Sequence, residues 1–385
     1  MRARIVGALP VAALLTLAIV LPAAAQITVA VEGGFKGYTF DEGLGPTAAQ
    51  LFIVPVGVRI PISETVQTDV MGAWAQGSVE REGVTYQMDG IIDTQVKTSW
   101  TARPWMVLSL GINAPTGNES HTAEEAVVVS ALATDLLGFR ESTWGTGLAV
   151  TTGVATARRV GQWGLGVGAS YRMADGFEPA DGQAVTYEPG NEMRLRIGLD
   201  RNVGEAGKLS LGVTVQDFAE DQFQEGEAEA RNLFQAGNRF MVDAAYGFRL
   251  GSQTWTVYGS ELWREQGDLF LSIVDANDNV VGDSIIATSS QTLLSLGLVG
   301  AIPIGSLYRL RPTLDFDLQG REENDGSDEG SGWMVAIGAD FPLRLFGTYD
   351  LFPRARFTVG SIVGGDGGDY GVRGGELGLT VRWGG

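Results

Sequence analysis

The sequence predicts an all-β fold of long strands, each apolar on one face and polar or small on the other. Two observations carry this prediction: apolar residues recur at every second position over long segments, and turn-forming residues separate those segments. The composition agrees, since glycine contributes 55 of the 385 residues and proline only 13. With 44% hydrophobic residues, the chain can bury a large apolar surface, which excludes a disordered protein.

The composition also excludes several classes of function. The chain has no cysteine and one histidine, which rules out a disulfide scaffold, a Cys-ligated zinc site and a thiol nucleophile. Its formal net charge of -19 disfavours nucleic-acid binding, which needs a basic surface. We therefore predict no cofactor, no metal site and no nucleic-acid partner.

Residues 1–25 have the organisation of a secretory signal peptide. Arg2 and Arg4 give a positive start, residues 5–20 form an apolar core, and small residues lead up to Ala25, after which cleavage is expected. A retained membrane anchor is the alternative, because the apolar stretch is nearly long enough to span a bilayer. We expect residues 26–385 to form a single exported domain.

Two-faced strands follow one another along this whole domain. Between Trp163 and Arg172, for example, every odd position is apolar or aromatic and every even position is Gly, Ser or Arg. Sixteen strands are predicted, near 27–38, 51–62, 66–79, 89–102, 104–113, 143–160, 163–174, 190–202, 208–218, 236–250, 254–264, 290–302, 306–318, 332–343, 352–362 and 370–383. Fourteen strands stay open, because the first two are weakly patterned and Glu261 shares a face with Trp255 and Trp263.

Three features place these strands in a membrane rather than in a soluble β-sandwich. Their length matches the ~9–11 tilted residues that cross a bilayer. Aromatic residues such as Trp105, Trp163 and Trp333 lie near strand ends, as they do at membrane interfaces. The connections are short after even-numbered strands and long after odd-numbered ones, which a sandwich does not require. Because a sheet in lipid must close on itself, we predict a transmembrane antiparallel up-and-down β-barrel.

The carboxyl end carries the most specific resemblance to a known group of proteins. Leu377, Leu379, Val381 and Trp383 alternate with small or polar residues and end on an aromatic ring, with two glycines after it. This pattern resembles the assembly signal of bacterial outer-membrane β-barrels. The resemblance implies the outer membrane of a Gram-negative cell, with its lipid and the barrel-assembly machinery as partners, and leaves a homo-oligomer open. Residues 108–117 also resemble a strand and loop of transport barrels linked to aromatic and fatty-acid uptake.

Arginine and aspartate share the polar face of the predicted strands. Their positions are Arg172, Arg194, Arg196, Arg239, Arg249, Arg309, Arg311, Arg354, Arg356, Asp200, Asp243, Asp315 and Asp317. Facing a water-filled lumen, these side chains would set ion selectivity and orient solutes. The alternative is that arginine and aspartate pair with one another and brace the wall. Arg158, Arg159 and Arg201 lie at strand ends and are expected to mark the membrane interface.

The segment 114–142 is the longest connection and the third on the long-loop side. It carries Glu119, His121, Glu124, Glu125 and Asp135 around an apolar stretch that is long enough for a short helix, 126–137. In position and charge it resembles the third loop of sixteen-stranded porins, which folds inward and constricts the channel. An external loop that packs on the rim is the alternative.

Two outer segments are rich in acidic residues, at 220–229 and 322–329. Carboxylates bind Ca²⁺, but the EF-hand spacing is absent, and near 275–280 the glycine that the motif needs is replaced by Val280. We expect these segments to be solvated loops.

These patterns together predict an outer-membrane channel that passively passes small solutes through an Arg/Asp-lined lumen, with loop 114–142 as a constriction. Two alternatives remain open: a transporter for hydrophobic compounds, and a structural or surface-interaction barrel with acidic external loops. An enzyme is not expected. A general-base mechanism would depend on His121 alone, and its neighbours Glu119 and Ser120 are adjacent in sequence rather than placed for catalysis.

Overall fold

The structure is a computed structural model that describes residues 27–383 except 134, 140–143, 183–184, 205, 226–230, 275–279, 306–307, 323–327, 346–348 and 364–367. The predicted signal peptide and the two closing glycines lie outside the described residues. So do many of the acidic residues for which Ca²⁺ binding was the alternative.

The described chain contains strands of two lengths and one helix. In chain order the strands are β1 (Thr28–Phe40), β2 (Pro46–Pro61), β3 (Val66–Arg81), β4 (Val84–Arg103), β5 (Met106–Ala114), β6 (Ala149–Val160), β7 (Trp163–Ala174), β8 (Val185–Glu188), β9 (Glu192–Val203), β10 (Gly207–Phe218), β11 (Asp221–Glu225), β12 (Arg231–Gln235), β13 (Arg239–Leu250), β14 (Gln253–Arg264), β15 (Asp268–Val274), β16 (Val280–Ala287), β17 (Ser290–Ile304), β18 (Tyr308–Glu322), β19 (Asp328–Asp340), β20 (Leu343–Leu345), β21 (Tyr349–Val363) and β22 (Asp369–Trp383). The helix is α1 (Ala123–Leu132). No helix in the described part of the chain is long and apolar enough to span a membrane.

Sixteen of these strands close into one antiparallel barrel. The ring runs through β1 to β7, β9, β10, β13, β14, β17, β18, β19, β21 and β22, and each strand is hydrogen-bonded to the next. The ring closes where β22 returns to β1, in a register that pairs Val29 with Trp383 and Phe40 with Val372. The structure therefore confirms the predicted fold class, with sixteen strands rather than fourteen.

The two faces of the barrel wall follow the period-2 pattern of the sequence. Apolar side chains such as Ile337 (62% exposed), Leu377 (60%) and Phe357 (57%) point outward. The neighbouring positions point inward. Arg356 is an example, because its guanidinium forms an ion pair with Asp315 on the lumen side of the wall. A continuous band of exposed apolar side chains is stable against lipid rather than against water.

The short-turn rim carries two arginine–tryptophan stacks on its outer surface. The guanidinium of Arg158 lies 4.7 Å from the ring centre of Trp105, and that of Arg201 lies 5.3 Å from the ring centre of Trp163. Both pairs fit the interface role expected for these arginines. Arg159 is different: it pairs in register with Gly164, one position out of phase with Arg158, and therefore faces inward.

The connections predicted as loops at 175–189, 219–235 and 265–289 contain further strands. β8, β11, β12, β15 and β16 form a separate five-stranded sheet on the long-loop side. Its aromatic rings pack together, since the ring centres of Tyr187 and Phe223 lie 4.7 Å apart. The Tyr187 hydroxyl donates to Asp221 at 2.7 Å, and burial together with this carboxylate raises the pKa of the phenol. The loop prediction was wrong there because backbone groups pair outside the bilayer as well.

The break predicted between residues 79 and 89 is also absent. β3 and β4 continue to a two-residue turn at Glu82 and Gly83, whose φ angles are 53° and 76°. Positive φ at both central residues is the geometry of the tight hairpin turn that suits the right-handed twist of paired strands. Glycine adopts this conformation without strain, so a polar stretch that looks like a loop in the sequence forms a long hairpin.

The orientation of the wall makes a direct prediction for β7. Val167 faces lipid and is 38% exposed, whereas a side chain added at Gly166 would point into the lumen, with its nearest neighbour 3.8 Å from the new Cβ. We expect Val167→Arg to lower the free energy of unfolding by about 2–4 kcal/mol, because it places a charge in hydrocarbon. The matched control Gly166→Arg should cost much less. Guanidinium titrations of the protein in lipid vesicles, followed by tryptophan fluorescence, measure both. Equal losses would show that the two faces are assigned wrongly.

Candidate functional site

The connection between β5 and β6 packs inside the barrel, and we call residues 115–139 and 144–148 the plug segment. Its helix begins at a capping box, in which the Thr122 hydroxyl accepts from the Glu125 amide and the Glu125 carboxylate accepts from the Thr122 amide. The helix spans 123–132 rather than the predicted 126–137. Its buried residues Val128 and Leu132 pack in one apolar cluster with inward-facing wall residues, among them Leu51.

A single carboxylate ties both ends of the plug segment to the wall. Asp93, only 6% exposed, accepts hydrogen bonds from the amides of Gly117 at 2.9 Å and Thr146 at 2.8 Å. The Asn113 side-chain amide donates to it at 2.9 Å. Three donors on one buried carboxylate make a strong, charge-assisted anchor.

A β-bulge explains why Asp93 points inward. The register between β3 and β4 shifts between Met71 and Ala73, so that Ile92 and Asp93 are both buried although they are consecutive. Such a bulge re-aims a side chain that strict alternation would turn to the other face. Close to this point, a Cβ at Gly117 would lie 2.1 Å from the carbonyl oxygen of Trp144. The two ends of the plug segment can therefore approach only because glycine stands there.

The indole of Trp144 fixes the returning end of the plug segment. Its side chain is 1% exposed, and its Nε1 donates to the carbonyl oxygen of Ala75 at 3.1 Å. The Trp144 carbonyl in turn accepts from the amide of Asp93 at 2.9 Å. The alternation pattern predicts a strand from 143 to 160 that includes Trp144; β6 begins instead at Ala149. The strand starts later because residues 144–148 are held inside the lumen by Asp93.

The far tip of the plug segment reaches the opposite side of the ring. The Asp135 carboxylate lies 3.8 Å from the Arg264 guanidinium on β14 and accepts from the Gln291 amide on β17 at 3.2 Å. Near it, the Lys36 ammonium donates to the Gly138 carbonyl at 2.6 Å. The plug segment therefore crosses the lumen from β4 towards β14 and β17.

The structure separates the residues predicted for the constriction. Asp135 alone among them makes a described contact with a wall cation, whereas Glu125 serves the helix cap. His121 lies at the other end, where its amide donates to the Pro179 carbonyl at 3.0 Å and its carbonyl accepts from the Asp181 amide at 2.9 Å. Burial lowers the pKa of its imidazole. Glu119 and Glu124 lie in the same part of the plug segment as His121, far along the chain from Asp135. The predicted set therefore does not form one acidic face.

Ion pairs occupy two parts of the wall. On β9 and β13, Arg196 reaches Asp243 at 2.8 Å and donates to the Thr214 hydroxyl at 2.8 Å. On the side of the closing seam, Arg354 lies 2.5 Å from Glu32 and 3.0 Å from Glu376. Arg356 lies 3.2 Å from Asp315, which also accepts from the hydroxyl of Tyr258.

The alternation pattern did not predict Glu32 and Glu376 as partners of Arg354. Both occupy inward positions on the two strands of the seam, offset by four residues in its register: Glu32 pairs with Thr380, and Glu376 pairs with Lys36. The strand phase would have placed Glu376 on the polar face, opposite the apolar face of Leu377. The pairing itself depends on the contact between the first and last strands, which the local pattern does not contain.

The other predicted wall residues also occupy inward positions. Arg194 pairs with Glu192 at 3.1 Å, and Asp200 lies 3.6 Å from Lys208. Asp317 accepts from the Ser295 hydroxyl at 2.6 Å. Three more positions are defined by ring contact or strand register: Arg239 over the Phe218 ring, Arg172 opposite Glu192, and Arg311 opposite Asp340. Arg249 and Arg309 border a recess at the short-turn end.

Glycines border one recess in the wall across the lumen from the apolar cluster. Gly164 and Gly166 on β7 and Gly198 on β9 border a recess of about 490 Å³ that Arg196 and Asp243 also line. A Cβ at any of these glycines would meet its nearest neighbour at 3.7 Å or more, so the space above them is open. Within the described residues the plug segment therefore packs on β1 to β4, β19 and β22 and reaches β14 and β17, whereas the glycine-bordered recess lies along β6 to β13.

The assembly signal predicted at the carboxyl end lies in β22, on the seam that closes the ring. Leu377 and Leu379 face outward, and Trp383 pairs in register with Val29 on β1 and with Tyr349 on β21. The position is compatible with the predicted role, which stays a prediction.

Comparison with known proteins finds likeness at the level of fold. No family model and no curated protein matches the sequence. Among solved structures, the chain is similar to OmpT of Vibrio cholerae, with 10% identity, a TM-score of 0.43 and coverage of 95% of this chain and 99% of that one. It is also similar to the outer membrane channel DcaP of Acinetobacter baumannii, with 13% identity, a TM-score of 0.42 and coverage of 94% and 98%. For OccK2 of Pseudomonas aeruginosa, solved with glucuronate, the values are 11%, 0.47, 94% and 96%.

These likenesses concern architecture alone. The chain itself forms a closed sixteen-stranded antiparallel barrel.

The Asp93 anchor makes a prediction for the plug segment. Asp93→Asn replaces one acceptor oxygen by a donor that faces other donors, so we expect faster amide hydrogen exchange in α1 and at Thr146. Hydrogen exchange read by mass spectrometry measures this segment by segment. The control is Asp69→Asn, the same chemical change on β3, where the carboxylate pairs with Arg59 at 2.8 Å away from the plug segment. Unchanged protection of α1 in Asp93→Asn would show that the apolar cluster alone holds the segment.

Proposed function

We propose that this protein is an outer-membrane channel through which small polar solutes pass passively. The observation that carries the proposal is the division of the lumen. The plug segment packs on β1 to β4, β19 and β22, while the glycine-bordered recess with Arg196 and Asp243 lies on the side of β6 to β13. A solute would pass between the two.

The charges of the wall favour polar over apolar cargo. An ionised side chain in a narrow aqueous passage replaces part of the hydration shell of a passing solute. Ion pairs such as Arg196 with Asp243 hold each other in place, so they shape the passage and brace the wall together. The two interpretations of the arginine face that the sequence left open are therefore compatible in this proposal.

A transporter for hydrophobic compounds is the second candidate, favoured by one specific observation. The apolar side of α1 packs on Leu51, Ala75 and Met88 inside the barrel, and displacement of the plug segment would expose an apolar surface there. This candidate requires movement of a segment that Asp93 holds at both ends. The open channel requires none, and for this reason we favour it.

Single-channel recording of the refolded protein in a planar bilayer tests the proposal. We expect stable ohmic steps, and a severalfold larger conductance when residues 119–143 are replaced by a short Gly-Ser linker. A short linker suffices, because a Cβ at Gly145 would lie only 2.7 Å from the backbone of Asn118. The conductance rises because the plug segment occupies lumen volume that ions would otherwise use.

The control deletion removes residues 226–230, which lie in sequence between β11 and β12, two strands of the separate outer sheet. It should leave conductance close to that of the unaltered protein. Absence of steps from folded protein, together with steps from the plug replacement, would support the hydrophobic-compound transporter. Absence of steps from both would leave a structural or surface-interaction barrel.

A further inference from the structure

Two arginines share a recess at the short-turn mouth of the lumen. Arg249, near the end of β13, and Arg309, near the start of β18, border a space of about 320 Å³. The recess is also lined by the turn residues Gly251 and Ser252, by Thr254, and by Ala301 and Pro303 of β17. Arg249 and Arg309 thus stand on the two strands that flank β14 and β17, with Thr254 and Ala301 paired in register between them.

This recess differs from the other arginine sites in its lack of acidic residues. Arg196, Arg354 and Arg356 each have a carboxylate within 3.2 Å. No carboxylate is among the described residues that line the recess, and the described hydrogen bonds and ion pairs include none from Arg249 or Arg309. In the strand registers Arg249 is opposite Thr254 and Arg309 is opposite Pro303. The proline side chain has no hydrogen-bond acceptor.

Two guanidinium groups that border one recess without a counter-charge repel each other. An anion between them removes this repulsion and gains charge-assisted hydrogen bonds. The planar fork of a guanidinium matches two oxygens of a tetrahedral oxyanion better than a spherical ion. The hydroxyls of Ser252 and Thr254 can donate to further oxygens. At Gly251, with φ of 60°, a Cβ would have nothing within 4 Å of it, so the turn leaves room for the ligand.

We infer that Arg249 and Arg309, with the Ser252 and Thr254 hydroxyls, form an oxyanion-binding site at the short-turn mouth, with a phosphate-type group as its ligand. The site faces the lumen, so its ligand is a dissolved anion rather than a lipid headgroup. The inference rests on the proposed function, since solutes reach the recess through an aqueous lumen. It deepens that function by naming a class of solute that the mouth would retain.

Calorimetric titration of the refolded protein in detergent tests the site without requiring current flow. Inorganic phosphate is one probe and glycerol phosphate the other, so that a site for the free ion is distinguished from one for a phosphorylated solute. We expect saturable binding of at least one probe, and a rise in Kd of about tenfold or more in the double variant Arg249→Gln/Arg309→Gln, because each lost charge-assisted bond is worth about that factor.

The matched control is Arg158→Gln/Arg201→Gln. It removes the same number of charges from the same rim, but from the outer surface, where both side chains stack on tryptophan. Kd for phosphate should change little in this control. Equal weakening in both double variants would overturn the site, because the effect would then come from net charge. Failure of folded, unaltered protein to bind either probe would also overturn it.

Planar-bilayer recording separates failure of the site from failure of the channel. Under the proposal, phosphate added on the short-turn side reduces the chloride current of the unaltered protein and not that of Arg249→Gln/Arg309→Gln. Ohmic steps without any phosphate effect would reject the site while the channel stands. Phosphate binding by calorimetry in a protein that gives no steps would reject the channel and keep the anion site.

Discussion

The pairing of β1 with β22 is the contact on which the rest of the structure depends. Lipid offers no hydrogen-bond partners to a free strand edge, so a membrane-spanning sheet is stable only when its first and last strands meet. The register from Val29↔Trp383 to Phe40↔Val372 supplies that closure. Once the ring is closed, the alternation of side chains assigns each residue to lipid or to lumen, and the charged interior follows. Arg354 bridges Glu32 and Glu376 beside this same seam.

Inside the ring, the plug segment is held by two kinds of interaction that differ in how strictly they fix its orientation. The apolar cluster around Val128 and Leu132 supplies affinity through burial, and burial is insensitive to orientation. The Asp93 carboxylate supplies position, because its donors at Gly117, Thr146 and Asn113 must all be directed at it. Apolar packing without the Asp93 anchor would allow the plug segment to slide along the wall. The space beside the segment would then have no fixed width.

The period-2 pattern predicted the barrel and its two faces, with sixteen strands as the favoured count and fourteen left open, and the apolar stretch at 126–137 predicted a short helix in the connection that carries α1. The period-2 pattern failed where the structure depends on contacts distant in sequence. The bulge that turns Asp93 inward breaks the alternation locally, and the partners of Arg354 come from β1 and β22. The pattern missed the outer sheet because the short strands of that sheet lack a long apolar face. The predicted break between residues 79 and 89 was wrong as well, because this polar stretch continues as a hairpin that turns at Glu82 and Gly83.

The glycine-bordered side of the lumen has a mechanical consequence. Gly164, Gly166 and Gly198 present backbone to the passage, and the backbone of a closed sheet has no rotamers to change. The facing boundary is a tethered segment with a helix, buried side chains and one carboxylate anchor. In the proposed channel, the aqueous cross-section would be a crescent with the barrel wall as one edge and the plug segment as the other. Any modulation of its aperture, by voltage, ligand or mutation, would be a displacement of the plug segment alone.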